Sequence, residues 1–357
     1  MADHLRVAYD AGPLLDLRTG VGRYARELAD ALAVTGVELV PYAIAARGGR
    51  SEGMRRWRVP ARLVQTSWRR LGAPRIQRLV GKVDAVHATN FVLPALGREA
   101  GVLTVHDLSF LRDDTFPGGE RLRDLVPWST ARAAAILTPT EAVKQEVCDA
   151  YGAPAASVHV THEGVSPLFF GATPLSDGAL RDLGLAGPYV LAVGTIEPRK
   201  NLPRLLEAWR SVRAELPEMT LAIAGPKGWG PELPEAPGVR LLGWVGDETL
   251  PGLLAAAEVF CYPSLYEGFG LPPLEAMAAG TAAVVGDYPA AAEILGDAAI
   301  VVRAREPEDI AAGLARVLSD EGLRKDLARR GRARAAEFSW LRTAKETLAA
   351  YQVAVAR

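Results

Sequence analysis

The chain has 357 residues, enough for about two domains at roughly 150 residues each. Its 41 Lys and Arg side chains are matched by 42 Asp and Glu, which argues against a global nucleic-acid-binding field. Cys148 and Cys261 form no Cys-x-x-Cys pair, which argues against a disulfide framework and a structural zinc site. No apolar run reaches 18 residues, so no spanning helix is expected. The first ten residues lack a signal-peptide apolar core, and the expected compartment is the cytoplasm.

In chain order, short continuous runs of Val, Ile, Leu and Ala alternate with helical patterns. The first strand candidates are 5–9, 37–42, 85–87, 102–105, 135–138 and 158–160; a second series covers 189–193, 220–224, 239–242, 259–261, 282–285 and 299–302. Helical spacing falls at 22–33, 142–151, 202–216, 274–279 and 310–318. Strands without polar alternation suit parallel sheets buried on both faces. A Pro-, Gly-, Ser- and Asp-rich stretch at 164–187 separates the series and reads as a linker. The expected α/β architecture is two Rossmann-like doubly wound domains, 1–170 and 180–339, facing an interdomain cleft, with ligands at the carboxyl ends of the strands.

Between 51 and 81, Arg55, Arg56, Arg58, Arg62, Arg69, Arg70, Arg75 and Arg78 face a single acid, Glu52, with Trp57 and Trp68 interleaved. This pattern reads either as a solvated helical face with its tryptophans packed inward or as a patch for an anionic membrane surface. Nucleic acid is the weakest of its readings.

Gly20-x-Gly22-x-x-Ala25 lies some ten residues beyond the first strand, and the second strand ends in Val40-Pro41-Tyr42 without an acid, so it is a poor dinucleotide fingerprint. It opens a helix toward an anion, or it is a tight turn that needs glycine. At the end of the fourth run, Thr104-Val105-His106-Asp107 places His106 toward the cleft, unless Asp107 holds it as a structural imidazole. His159 and His162 have no further acid or cysteine at metal-ligand spacing, so no metal site is assigned.

The densest chemistry is Tyr266-Glu267-Gly268-Phe269-Gly270-Leu271-Pro272-Pro273-Leu274-Glu275. A glycine loop feeds a helix N-terminus, which attracts phosphate through free amides and the helix dipole. Glu267 before the loop and Glu275 in the expected first turn cannot share a helical face, so each reaches a different part of a ligand. An ionised acid accepts two hydrogen bonds from a diol, and a diphosphate flanked by two diol-bearing rings is a nucleotide-sugar. Arg199 and Lys200, in the loop after 189–193, can neutralise the diphosphate.

With these motifs the chain resembles a retaining nucleotide-sugar glycosyltransferase of family four, with the GT-B fold. Glu267 to Glu275 matches that family's E-x7-E signature, and 194–201 and 104–108 resemble its mannosyltransferase-like subgroup. The resemblance implies transfer of a hexose, with GDP-mannose as the preferred donor, to a glycan, glycolipid or other hydroxyl acceptor in polysaccharide assembly. It implies no cofactor and no metal. Glu267 would hold the sugar; Phe269, Gly270 and Leu271 would contact sugar and distal phosphate. Glu275 would bind ribose, Lys200 with Arg199 would stabilise the diphosphate, and His106 would sit near the anomeric carbon. Gly20 and Gly22 would approach the phosphate, Trp244 and Val245 would border the base, and Thr195 replaces an Arg common in relatives. Arg23, Tyr24, Asn90 and Asp107 are acceptor-side candidates, and the helix at 340–357 would return to the first domain. Rival readings are a UDP- or ADP-sugar donor, a non-catalytic nucleotide-sugar-binding module, and an epimerase or hydrolase. Residues 55–78 would place the enzyme peripherally at the inner membrane face.

Overall fold

The computed structural model describes residues 5–16, 19–46 and 53–357; Glu52 and residues 1–4 of the expected leaderless N-terminus lie outside them. The chain divides into two compact units, Met1–Gly164 with Trp340–Arg357, and Val165–Ser339.

The first unit holds a parallel sheet of β1 (Arg6–Asp10), β2 (Glu38–Ile44), β3 (Arg55–Trp57), β4 (Ala85–Ala88), β5 (Ala100–Thr104), β6 (Ala135–Thr138) and β7 (Val158–Val160). Their spatial order is β3-β2-β1-β4-β5-β6-β7. The second sheet comprises β8 (Tyr189–Val193), β9 (Thr220–Ala224), β10 (Val239–Gly243), β11 (Val259–Tyr262), β12 (Ala283–Gly286) and β13 (Ile300–Val302), ordered β10-β9-β8-β11-β12-β13. Both are Rossmann-like, with helices covering strands that are buried end to end, as in β4, β6, β11 and β12. Each order reverses once, between β1 and β4 and between β8 and β11.

All the expected strands form, with ends moved by a residue or two; β3 is an addition. Arg-Arg-Trp carries no apolar run, yet Ile44 pairs with Trp57 along the edge of the sheet. Arg55 Nη1 donates to the Val80 carbonyl (2.6 Å) and Arg56 Nη2 to that of Ala45 (2.9 Å), so the charges spread over backbone oxygens at an edge strand.

The domain boundary expected near residue 170 moves to 164. Residues 165–170 belong to the second unit, because the Val165 amide bonds the Phe338 carbonyl (3.1 Å) and Phe169 is buried. The presumed linker is structured: it contains the helices Pro167–Phe170 and Asp177–Asp182, the latter capped by Ser176.

The helix Trp340–Ala356 packs on the helix Gly20–Ala33 in the first unit. A buried polar chain ties it down. Tyr351 Oη lies 2.7 Å from His87 Nδ1, His87 Nε2 lies 2.7 Å from Thr104 Oγ1, and Thr104 Oγ1 lies 3.1 Å from Tyr24 Oη. Burial, assisted by the nearby His106, pushes the His87 imidazole down to about 3, so it is a neutral ring offering one donor and one acceptor. Tyr351→Phe strands Nδ1 in the core. The expected loss is about 1–3 kcal/mol, read as a lower urea midpoint with an unchanged slope.

Candidate active site

The second unit carries a charge cluster where its strand order reverses. After β8 the chain makes a tight turn at Pro198–Lys200, ended by Asn201 in the left-handed region (φ 59°). The buried Asn201 amide donates to the carbonyls of Pro263 (3.1 Å) and Ala304 (2.6 Å), pinning this loop to the loop after β11. That anchoring brings Lys200 (8% exposed) to Glu267 (6% exposed). Lys200 Nζ donates to Glu267 Oε1 (2.7 Å) and to the Tyr262 hydroxyl, which itself donates to Glu267 Oε1 (2.9 Å). Arg199 Nη1 bonds Glu267 Oε2, and its Nε lies 2.7 Å from Glu197 Oε1. An ammonium has three protons, and among the described residues two are used, leaving Lys200 one for a ligand.

Burial alone would raise the Glu267 carboxyl, but Arg199 and Lys200 outweigh it and hold the group down at about 2. Burial, with the Arg199 charge adding to it, lowers the Lys200 ammonium while Glu267 and Glu197 oppose the shift. Glu197 and Tyr262, which the sequence reading passed over, complete the cluster.

The helix Leu271–Ala278 starts from Gly270 in the left-handed region (φ 95°). A Cβ on Gly270 would lie 2.5 Å from the Tyr288 hydroxyl, so this approach needs glycine. That buried hydroxyl has no hydrogen-bond partner among the described residues. Pro272 and Pro273 remove two of the four N–H groups a helix start leaves unbonded, so Gly270 and Leu271 carry the remaining amides. Glu275 is buried but stands fifth in the helix, beyond the first turn in which the sequence placed it. Phe269 is buried edge-on against Phe338 (5.8 Å). Thr195 and Val245 are half-buried, and Trp244 is exposed beyond β10.

In the first unit, Thr19 caps the helix Gly20–Ala33 by accepting from the Gly22 amide (3.0 Å). A Cβ on Gly22 would lie 2.5 Å from the Asp16 carbonyl oxygen, so the tight-turn requirement holds for Gly22, whereas Gly20 is exposed with open space around it. Arg23 is half-buried. Tyr24, an acceptor-side candidate, is buried, bonded to Thr104, with its ring 4.6 Å from that of His106.

His106 is buried at the end of β5. Its Nε2 donates to the Thr89 carbonyl (2.8 Å), and its Nδ1 lies 3.6 Å from Glu163 Oε1. Asp107 does not hold it. Asp107 instead closes its own turn, accepting from the Ser109 amide (2.9 Å) and hydroxyl (2.6 Å). Glu163 went unremarked in the sequence; an acid just past β7, next to the weighed His162, was its signal. Asn90 is half-buried, with its Oδ1 buried and unpartnered among the described residues.

The tryptophans of the basic segment face inward. Trp68 is buried with its Nε1 donating to the Pro74 carbonyl (2.8 Å), and Trp57 packs against the same core cluster. Neither is an interfacial anchor. Among the described residues no three His, Cys, Asp or Glu side chains gather to hold a metal, and no helix is long and apolar enough to cross a membrane.

Comparison with known proteins gives this geometry its class. Residues 18–167 match the family model for Glycosyltransferase Family 4, and residues 183–334 match that for Glycosyl transferases group 1. Sucrose-phosphate synthase from Thermosynechococcus elongatus superposes with a TM-score of 0.75 at 19% identity, over 98% of both chains, and WaaG, a glycosyltransferase involved in lipopolysaccharide biosynthesis, with 0.71 at 18% identity, over 96% of this chain and 98% of that one. The fold is thus GT-B, two Rossmann-like parallel-sheet units. The O-antigen chain mannosyltransferase B of Escherichia coli is 33% identical over 75% of this chain and 74% of its own length. The chain belongs to glycosyltransferase family four, in its mannosyltransferase-like part, and is a glycosyltransferase.

Because Glu267 is depressed below its ordinary 4.5, its pairing stabilises the fold fully above that value and is lost as pH falls through about 2. Glu267→Gln leaves the buried Lys200 without its carboxylate, while the half-buried Arg199 keeps Glu197, at about 3–5 kcal/mol for breaking a buried pair. The gap in urea midpoint between native protein and variant is expected to be widest near pH 7 and to close from pH 4.5 downward. A gap independent of pH would contradict the pairing.

Proposed function

We propose that the enzyme transfers mannose from GDP-mannose to a hydroxyl of a glycan or lipid-linked acceptor, with retention at the anomeric carbon and without a metal ion. The observation that carries this reading is the buried Glu267 carboxylate flanked by Lys200 and Arg199. Glu267 accepts from donor-sugar hydroxyls. Lys200, Arg199 and the amides of Gly270 and Leu271 meet the charge that develops on the diphosphate, with Thr195 beside it. Glu275 takes the ribose, and Trp244 and Val245 border the base. His106 is a contact to the transferred sugar. The name of the Escherichia coli relative supports mannose; guanosine follows the subgroup resemblance, with UDP- and ADP-sugars as the alternatives.

The acceptor oxygen attacks the anomeric carbon from the face that the diphosphate leaves. The carbon–oxygen bond to phosphate breaks, its electron pair stays on the diphosphate, and a phosphate oxygen takes the acceptor's proton. Capture of a glycosyl group on a protein side chain would overturn this route.

Calorimetric titration with GDP, UDP and ADP without metal is the test of the donor. GDP is expected to bind alone or best, and a preference for UDP or ADP rewrites the donor. Glu267→Ala and Lys200→Ala are each expected to lower transfer by about 10²-fold or more, the order seen on removing one charge-stabilising group. Full activity in either sinks the assignment.

A second reading concerns the helix Ala61–Leu71. Its outer face exposes Leu63 (62%) and Leu71 (76%) beside the exposed Arg62 and Arg70, a pairing that suits an anionic membrane surface. Co-sedimentation with phosphatidylglycerol vesicles is expected to fall with salt. Absence of salt-sensitive binding returns the face to plain solvation.

A further inference from the structure

Tyr288 lies just past β12, in a loop pressed onto the loop after β11. A Cβ on Gly286 would lie 2.5 Å from the Ser264 carbonyl oxygen, so the two loops meet backbone to backbone. Asp287 Oδ1 accepts from the Ala304 amide (3.0 Å), and the Ala304 carbonyl accepts from the Asn201 side chain (2.6 Å). Ala304 thus ties the segment holding Tyr288 to the turn holding Lys200. The Tyr288 carbonyl accepts from the Ala291 amide (2.9 Å), which fixes the residue's backbone.

The Tyr288 side chain is buried (3% exposed), and its hydroxyl has no partner among the described residues. Other buried tyrosines spend theirs. Tyr9 donates to the Ala25 carbonyl (2.7 Å), Tyr189 to that of Leu253 (2.5 Å), and Tyr262 to Glu267 (2.9 Å). A buried hydroxyl without a partner weakens a fold, and a phenylalanine fills nearly the same space without that cost. Burial and the nearby Glu267 carboxylate both raise the Tyr288 phenol well above its ordinary value, so it keeps its proton and can donate.

The hydroxyl is aimed at Gly270. The place where a Cβ would stand on Gly270 is 2.5 Å from Tyr288 Oη and 3.3 Å from Cζ, with the oxygen the nearer of the two. Glycine leaves that place open. It adjoins the amides of Gly270 and Leu271, at the start of an eight-residue helix. Two amides and one O–H converge there, and all three are donors. They call for an acceptor that the protein does not supply, and the helix dipole favours an anionic one.

We propose that Tyr288 is a further ligand-contacting residue of the enzyme: its hydroxyl donates to the distal phosphate oxygen seated on the Gly270 and Leu271 amides. This rests on the transferase reading above, which supplies the diphosphate. As the bond to the sugar breaks, negative charge grows on that phosphate, and the hydrogen bond from Tyr288 strengthens with it. The hydroxyl carries no charge of its own, so it leaves the balance among Glu267, Lys200 and Arg199 unaltered.

Calorimetric titration with GDP and with GMP tests this on native protein and on Tyr288→Phe, which removes the hydroxyl and keeps the ring. The variant is expected to bind GDP about tenfold more weakly, the order of one lost hydrogen bond. GMP lacks the distal phosphate and is expected to bind both proteins equally. The variant's kcat is expected to fall about tenfold or more, while its urea midpoint stays level or rises. A merely structural tyrosine gives a different pattern: equal loss for both nucleotides, or a lower midpoint with unchanged affinity. Either result overturns the proposal. Tyr288→Leu repeats the comparison if Tyr288→Phe fails to fold. Where native protein prefers UDP or ADP, that nucleotide and its monophosphate take the place of GDP and GMP. Native protein that binds no nucleoside diphosphate strikes the donor reading instead. Inorganic pyrophosphate is then the probe, and the role of Tyr288 stands only if native protein binds it and Tyr288→Phe binds it about tenfold more weakly.

Discussion

A parallel sheet whose strand order reverses must part its loops at the reversal, because successive crossovers there leave for opposite faces. That constraint operates in both units, between β1 and β4 and between β8 and β11. Polar groups at these points lose water to the surrounding layers without gaining the backbone ladder. They must find one another or wait for a ligand. In the second unit they find one another, as Glu267, Lys200, Arg199 and Tyr262 do. In the first unit Gln65 Oε1 and Asn90 Oδ1 are buried without a partner among the described residues.

The ion cluster is a poor device for stability alone. Buried pairs pay heavily in desolvation, and apolar residues of like size often hold a fold as well or better. What the cluster supplies is preorganisation: Asn201 and the turn before it hold both cations in place, as the proposed diphosphate site would require. At rest Glu267 and Glu197 balance Arg199 and Lys200. On the proposed function, a sugar sharing the Glu267 carboxylate would free cationic charge for the leaving group, tying recognition of the sugar to stabilisation of the phosphate.

Much of this was legible in the sequence because buried parallel strands declare themselves as unbroken apolar runs. β3 was not, since Arg-Arg-Trp is a strand only through its neighbour β2 and through carbonyls from elsewhere. The motif from Glu267 to Glu275 was visible because loop and helix are contiguous. The position of Glu275 beyond the first turn was not, because the helix starts at Leu271, just ahead of the prolines. Side-chain direction was the recurrent blind spot: Tyr24, Trp57 and Trp68 look equally able to face solvent or core until their helix or strand is packed. The approach of Tyr288 to Gly270 joins two loops, and no local pattern announces such a convergence.

The return of the helix Trp340–Ala356 to the first unit makes that unit discontinuous along the chain. Synthesis on a ribosome runs from one end, so residues 165–339 can finish folding while the first sheet still lacks its covering helix. Until Tyr351 emerges, the nascent sheet exposes His87 and the apolar face that will receive Tyr351 and Ala354. The half synthesised first is thus the half completed last, and until then its sheet keeps an uncovered apolar face.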